Sequence, residues 1–206
     1  MFIVISIIDC GLGNVGSVVR MIEKVGGRAT RVSSAEQITQ ATKLMLPGVG
    51  HFSHGMELLE KYNLVSAIQQ KASSGAPLLG ICLGMQLLFD SSEEGSCNGL
   101  GLIPGKVIAF DRNSGLKVPH MGWNEVDVRK ENPLISFFDE AGRKNRFYFV
   151  HSFHAVCQNP VDVLATAPYG QDITAAVSRG NIFGAQFHPE KSHKFGMSLM
   201  KKFVEL

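Results

Sequence analysis

The segment Leu78-Leu79-Gly80-Ile81-Cys82-Leu83-Gly84-Met85-Gln86 runs an apolar strand into a Gly-x-Cys-x-Gly turn. Glycines at 80 and 84 let the chain turn sharply from strand to helix, and a strained turn of this kind holds a nucleophile out over the sheet edge. The N–H of Leu83 then lies beside the sulfur, where it can favour a thiolate and hold a developing oxyanion. The plain alternative is a small buried cysteine that fills space. A base is supplied by Gln186-Phe187-His188-Pro189-Glu190. In an extended chain alternate residues point to one side, so the Glu190 carboxylate can sit beside the His188 imidazole, with Pro189 stiffening the pair. Cys82, His188 and Glu190 thus supply nucleophile, base and orienting carboxylate. A third segment, Leu46-Pro47-Gly48-Val49-Gly50, ends another apolar strand in glycines that can turn backbone N–H groups inward. Val49 and Gly50 are candidates for a second oxyanion donor, although glycine turns often end strands for steric reasons alone.

These three segments, with Pro119-His120-Met121-Gly122-Trp123-Asn124, Phe147-Tyr148-Phe149-Val150-His151-Ser152 and Gln186-Phe187-His188-Pro189-Glu190-Lys191-Ser192, resemble the class I, or triad, glutamine amidotransferases along essentially the whole chain. The narrower motifs around Trp123 and Ser192 are similar to those of the glutaminase subunits of imidazole glycerol phosphate synthases. The resemblance implies a Cys82-His188-Glu190 triad acting on glutamine. It places Gly48, Gln86 and the backbone of His151, Ser152 and Phe153 around the substrate. It places Met121, Trp123, Asn124, Tyr148 and Lys191 at a synthase interface or ammonia passage. The partner it implies is a (β/α)8 barrel synthase, joined as a heterodimer, that uses the ammonia in histidine biosynthesis. A single Trp beside a glycine could equally be a core anchor, and Gln86 an ordinary helix-surface side chain. His51, His54, His154 and His193 are expected to be solvated or structural, and His120 is left open.

Two other readings compete. The tail Glu190-Lys191-Ser192-His193-Lys194-Phe195-Gly196-Met197 looks as much like a paralogous glutaminase subunit serving surface-polysaccharide sugar amination, in which only the ammonia acceptor differs. A stand-alone cysteine hydrolase or peptidase is the reading from another class, and the His-x-Glu order and the Met121-Gly122-Trp123-Asn124 segment argue against it.

The chain of 206 residues, 45% hydrophobic, can bury a full core, and one domain over 1–206 is expected. Twenty Lys+Arg against 18 Asp+Glu give a net charge of +2, too weak a field to argue for nucleic acid. Cys10, Cys82, Cys97 and Cys157 lie far apart without a Cys-x-x-Cys, which argues against a zinc site and against a disulfide framework, so a reduced cytoplasm is expected. The Met1 to Cys10 stretch is too short to span a bilayer and is broken by Asp9, so it reads as a buried first strand and no membrane partner is expected. Gly11-Leu12-Gly13-Asn14-Val15-Gly16 satisfies the literal dinucleotide pattern. The tip of the next strand, however, reads Arg31-Val32-Ser33-Ser34, with Glu36 arriving late, so the glycines are taken as a tight turn and no cofactor is expected. The resemblance puts this loop on the side facing the partner.

The elements that must position these residues alternate through the first half: strand 2–8, helix near 17–25, strands 29–32 and 44–46, helix near 58–72, strand 77–81 and helix 84–90. That order predicts an α/β fold, an open and mostly parallel sheet with helices on both faces. In such sheets sites form at the carboxyl ends of the strands. From Lys106 onward short strands at 107–110, 125–128, 147–150, 163–166, 175–178 and 182–187 suggest an antiparallel extension of the same sheet. The segment 91–99 reads as a solvated loop.

Overall fold

The computed structural model describes residues 4–111, 113 and 115–206, so Phe2 and Ile3 of the expected first strand lie outside the described residues. Five strands form a parallel half-sheet: β1 (Val4–Ile8), β2 (Arg28–Val32), β3 (Lys43–Gly48), β4 (Leu78–Cys82) and, far along the chain, β13 (Ile182–Ala185). Their spatial order is β2-β1-β3-β4-β13. Four antiparallel strands extend it in the order β12 (Gln171–Arg179), β11 (Val163–Tyr169), β8 (His120–Val128) and β9 (Asn145–His151). The α/β class and the antiparallel extension are therefore as the sequence implies.

Alternation along the strands divides the core in two. Met45, Leu79 and Ile81 face one side, where they pack with Val18 and Ile22 of α1 (Val15–Lys24) and Leu199 and Phe203 of α6 (His193–Glu205). Leu44, Leu46 and Leu78 face the other, against Ile38 of α2 (Ala35–Gln40), Leu59 of α3 (Phe52–Lys61) and Ile68 of α4 (Val65–Ser73). A side chain that changes face with every residue can serve two cores only if both faces are covered, which is why these strands read as continuous apolar runs.

Four expectations are corrected. The helix expected over 58–72 is two helices, because Asn63 takes a left-handed φ of 55° between α3 and α4. The helix expected over 84–90 is only α5 (Leu83–Gln86), and the chain then enters β5 (Phe89–Ser92). The segment 91–99 is not a plain loop, since β5 continues through a turn into β6 (Cys97–Asn98). These join β7 (Ile103–Ala109) and β10 (Phe153–Cys157) in a separate four-stranded sheet, ordered β10-β7-β5-β6. The 107–110 strand thus belongs to this second sheet rather than to the extension of the first. Helices α2 and α6 were not anticipated, although Ser34 and Gln37 form a reciprocal capping box at the start of α2 that is readable as Ser-x-x-Gln.

Candidate active site

Strand β4 ends at Cys82, whose φ of 53° and ψ of −110° make it the strained corner between β4 and α5. A non-glycine residue held at positive φ costs energy that its surroundings must supply. They do so through close approach of backbones. A Cβ on Gly84 would fall 1.8 Å from the Leu46 carbonyl oxygen, and one on Gly80 would fall 2.5 Å from the Gly84 oxygen. Gly48, the register partner of Cys82 on β3, would place a Cβ 2.8 Å from the Gly84 nitrogen. The glycines are therefore required by contact, and they press the elbow against β3.

His188 follows the next parallel strand, β13, so β3, β4 and β13 bring Gly48, Cys82 and His188 to one end of the sheet. The His188 N–H donates to the Tyr148 carbonyl at 2.9 Å. Ser192 Oγ donates to the His188 carbonyl at 2.6 Å and accepts the Tyr148 N–H at 3.0 Å. This wholly buried serine clamps the histidine backbone to β9. The Glu190 carboxylate lies 2.7 Å from His188 Nδ1, both side chains being nearly enclosed. His188 Nε2 is buried and makes no hydrogen bond of normal geometry. Burial alone would lower the His188 pKa, but hydrogen bonding and charge from Cys82 and Glu190 outweigh it and lift the ring to about 9. A ring that holds its proton at neutral pH can serve as the acid for a leaving amine.

The thiol of Cys82 points at the Val150 carbonyl at 4.0 Å, and the Gln186 amide nitrogen lies 3.9 Å from the same sulfur. Gln86 is buried, not a helix-surface side chain. Its amide donates to the Phe153 carbonyl and to Gln186 Oε1, both at 3.0 Å. His151 is also buried, at the end of β9, with Nδ1 2.8 Å from the Phe153 carbonyl. Ser152 and Phe153 follow at the crossing into β10. The Val49 N–H does not face Cys82: it donates to the Leu12 carbonyl at 2.5 Å, while Gly50 takes a φ of 109°. The glycine-rich 11–16 turn is thereby explained sterically, since a Cβ on Gly13 would lie 3.2 Å from the Pro47 carbonyl group, and Asn14 Oδ1 caps α1 through the Ser17 N–H at 3.2 Å.

Beside this site the outer strands carry an exposed patch. Trp123 and Tyr148 are register partners on β8 and β9 with ring centroids 6.4 Å apart, and Lys191 Nζ lies 5.7 Å from the Tyr148 ring centroid. His193 stacks on Trp123 at 5.5 Å, and Met121 is 60% exposed. Trp123 is 40% exposed, which sets aside a core anchor. Asn124 does not join this patch. Strand alternation turns it to the opposite face of β8, where its amide reaches His120 and Pro168. Sequence reasoning gave no role to Ser192 or Gln186, though both stand in the quoted His188 segment. Their burial, which no spacing reveals, is what gives them work.

Among the described residues no group of three His, Cys, Asp or Glu side chains is arranged to hold a metal, and no helix is long and apolar enough to cross a membrane.

A family model described as glutamine amidotransferase class-I matches residues 6–206. Imidazole glycerol phosphate synthase subunit HisH 2 of Pseudomonas aeruginosa is 50% identical over 203 residues, covering 98% of this chain and 99% of that protein. The protein of the same description from Methanococcus maripaludis is 48% identical, covering 98% of each chain. Among solved structures, PurLQS from Thermotoga maritima superposes with a TM-score of 0.77 at 20% identity over 100% of this chain and 99% of that one, a likeness of fold.

Proposed function

The chain belongs to the class-I glutamine amidotransferase family, and on that premise we propose that it is the glutaminase subunit of an imidazole glycerol phosphate synthase. In this reading it hydrolyses glutamine to glutamate and passes ammonia to a (β/α)8 barrel synthase subunit, as a cytoplasmic heterodimer serving histidine biosynthesis. The observation that carries the reading is Cys82 at a positive-φ elbow beside a His188-Glu190 pair, on adjacent parallel strands of a chain half identical to a named synthase subunit.

The chemistry follows from the geometry. The Cys82 sulfur, its thiol proton having passed to His188, attacks the side-chain carbonyl carbon of glutamine as the thiolate, and the Leu83 N–H at the start of α5 meets the oxyanion. The protonated His188 gives its proton to the amide nitrogen, the C–N bond breaks, and ammonia leaves behind a γ-glutamyl thioester. Water then attacks the thioester carbon while His188 takes a water proton. The C–S bond breaks and glutamate departs. Glu190 keeps the imidazole aimed through both steps. Gln86 and the His151-Ser152-Phe153 backbone form the wall against which the amino-acid end of the substrate is held. The Trp123, Tyr148, Lys191 and Met121 patch is the docking face for the synthase, an amphipathic aromatic surface of the kind enriched in interface anchors.

The test is reconstitution of the purified chain with candidate synthase subunits, with glutamate release and product formation measured together. Glutamine-driven synthesis of imidazole glycerol phosphate in one-to-one stoichiometry with glutamate supports the reading. Transfer of the nitrogen to a sugar acceptor instead would move the chain to polysaccharide amination, and full turnover with no partner would make it a stand-alone hydrolase.

A further inference from the structure

His120 and His151 are register partners on β8 and β9, and their rings meet at 2.9 Å, Nδ1 of His120 to Nε2 of His151. Both are almost completely buried. Their neighbours determine where every proton sits. At one end the Phe153 carbonyl can only accept, so His151 Nδ1, 2.8 Å away, carries a hydrogen. Its Nε2 is then the acceptor of a neutral ring, and His120 Nδ1 is the donor. At the other end Asn124 Oδ1 accepts the Glu125 N–H at 2.9 Å, and Asn124 Nδ2 donates to the Pro168 carbonyl at 2.8 Å. That fixes the amide orientation and presents Nδ2 to His120 Nε2 at 3.2 Å, a nitrogen that must therefore be bare. The two ends assign the same tautomers independently. A proton added to either ring would set two donors face to face. Burial holds both rings neutral, with His120 lowered to about 4 and His151 to about 3.

The donor chain ends on the Phe153 carbonyl, where a second chain meets it from the other side. The same carbonyl accepts from Gln86, whose amide also donates to Gln186 Oε1, and that contact turns the Gln186 nitrogen towards the Cys82 sulfur. Ring stacking fixes the other degrees of freedom, with His120 between Phe149 at 4.7 Å and Tyr169 at 4.0 Å.

We propose that Asn124, His120 and His151 are positioning residues, a one-way hydrogen-bond relay from the strand that carries Trp123 to the Phe153 carbonyl, where it holds Gln86 and Gln186 in register with Cys82. The substrate side of this inference rests on the glutaminase reading. Its physical basis is that a buried acceptor left without a donor is costly, so Asn124, His120 and His151 each dictate the orientation of the next, and His151 fixes the position of the Phe153 carbonyl that Gln86 shares. A shift of β8 on docking would be passed inward by the same contacts.

Two measurements test it. Nitrogen-15 spectra of the isolated chain should show Nδ1–H tautomers for both rings at neutral pH and a scalar coupling across the His120 Nδ1–H···Nε2 His151 bond. In His120→Phe, which keeps the stack and removes the donor, the side-chain amide signals of Gln86 and Gln186 should move. In the reconstituted complex the same variant should raise KM for glutamine by roughly tenfold, the scale of one lost hydrogen bond, with kcat and ammonia-driven synthesis little changed. His120→Asn, which keeps a donor near the Nδ1 position, should recover most of the loss. An Nε2–H tautomer on either ring, unmoved Gln86 signals, or a wild-type KM in His120→Phe overturns the relay. If the wild-type complex hydrolyses no glutamine, it is the glutaminase reading that fails, and the spectra of the isolated chain still decide the relay.

Discussion

Glu190 grips His188 from only two residues along the chain, Oε1 to Nδ1 at 2.7 Å, and the two side chains are 6% and 1% exposed. A pair so close in sequence is aimed by its backbone rather than by distant packing: Pro189 lies between them, and Ser192 pins the His188 carbonyl.

The division of labour gives the first prediction. In the proposed mechanism His188 handles the proton in both steps, whereas Glu190 orients and steadies the ring. His188→Ala should therefore lower kcat for glutamine hydrolysis by about 10⁶-fold, and Glu190→Gln, whose carbonyl can still accept from Nδ1–H, by the smaller factor of about 10⁴-fold, following the unequal costs found in other triads. Steady-state kinetics of the two variants in the complex decide it, and losses in the reverse order would mean the roles are exchanged.

The second prediction concerns what Cys82 does to its neighbour. Hydrogen bonding and charge from Cys82 are among the effects that lift His188 to about 9 against its burial. Cys82→Ala should abolish glutaminase activity, spare synthesis from added ammonium salts, and lower the His188 pKa as read by NMR titration. A His188 titration unchanged in Cys82→Ala would show that the thiol and the ring do not act on each other.

The residues of the candidate site were more legible in the sequence than the architecture. Cys82, His188 and Glu190 announce themselves because each depends on a local pattern, a glycine-flanked turn or a His-x-Glu. The second sheet, formed by β10, β7, β5 and β6, was not legible, because its strands come from segments as far apart as Phe89 and Cys157 and include the two-residue β6. Helix α4 merged with α3 in the sequence because the break is one left-handed residue, Asn63, within a continuous apolar pattern. Asn124 was placed with Trp123 by the resemblance, although a period of two residues assigns them to opposite faces. The His120-His151 contact joins residues that only strand register brings together, and no spacing along one chain encodes register.

The third prediction is a stability maximum near pH 6.5. His120 and His151 are depressed to about 4 and about 3 by burial first, so between those values and 6.5 the unfolded chain binds protons that the native chain refuses. Their contribution is complete above 6.5 and is lost as pH falls. His188 is raised to about 9, so its contribution is complete below 6.5 and is lost as pH rises through 9. Each histidine sets a limiting slope of about 1.4 kcal/mol per pH unit within its window. Urea unfolding across pH 4.5 to 9.5 measures it. His120→Phe should flatten the acid limb and His188→Ala the alkaline limb, and limbs unchanged by these substitutions would place the pH dependence elsewhere.

The last prediction starts from the Val49 N–H, bonded to the Leu12 carbonyl at 2.5 Å instead of facing Cys82. That N–H belongs to the Gly48–Val49 peptide, which turns about the Gly48 ψ and the Val49 φ; Gly50 follows at a φ of 109° that glycine alone adopts freely, and Val49 itself is 49% exposed. The structure thus has a glycine-hinged peptide whose donor is held away from the site by the 11–16 turn. Breaking the Leu12 bond and rotating the peptide would turn the Val49 N–H inward as a second oxyanion donor beside Leu83. The isolated chain should accordingly hydrolyse glutamine slowly, and a synthase partner with its acceptor bound should speed it by about 10² to 10³-fold from this donor alone, the scale measured for one oxyanion contact, with closure of the interface adding to it. Gly50→Pro, whose ring holds its own φ at about −65° and restricts the backbone of the preceding Val49, should remove the partner-driven increase. The readouts are glutaminase kinetics with and without partner, and the Val49 amide resonance, which should shift when the Leu12 bond breaks. A complex that is fully activated while that resonance stays where it was in the isolated chain would sink the rotation, because the donor would then still belong to Leu12.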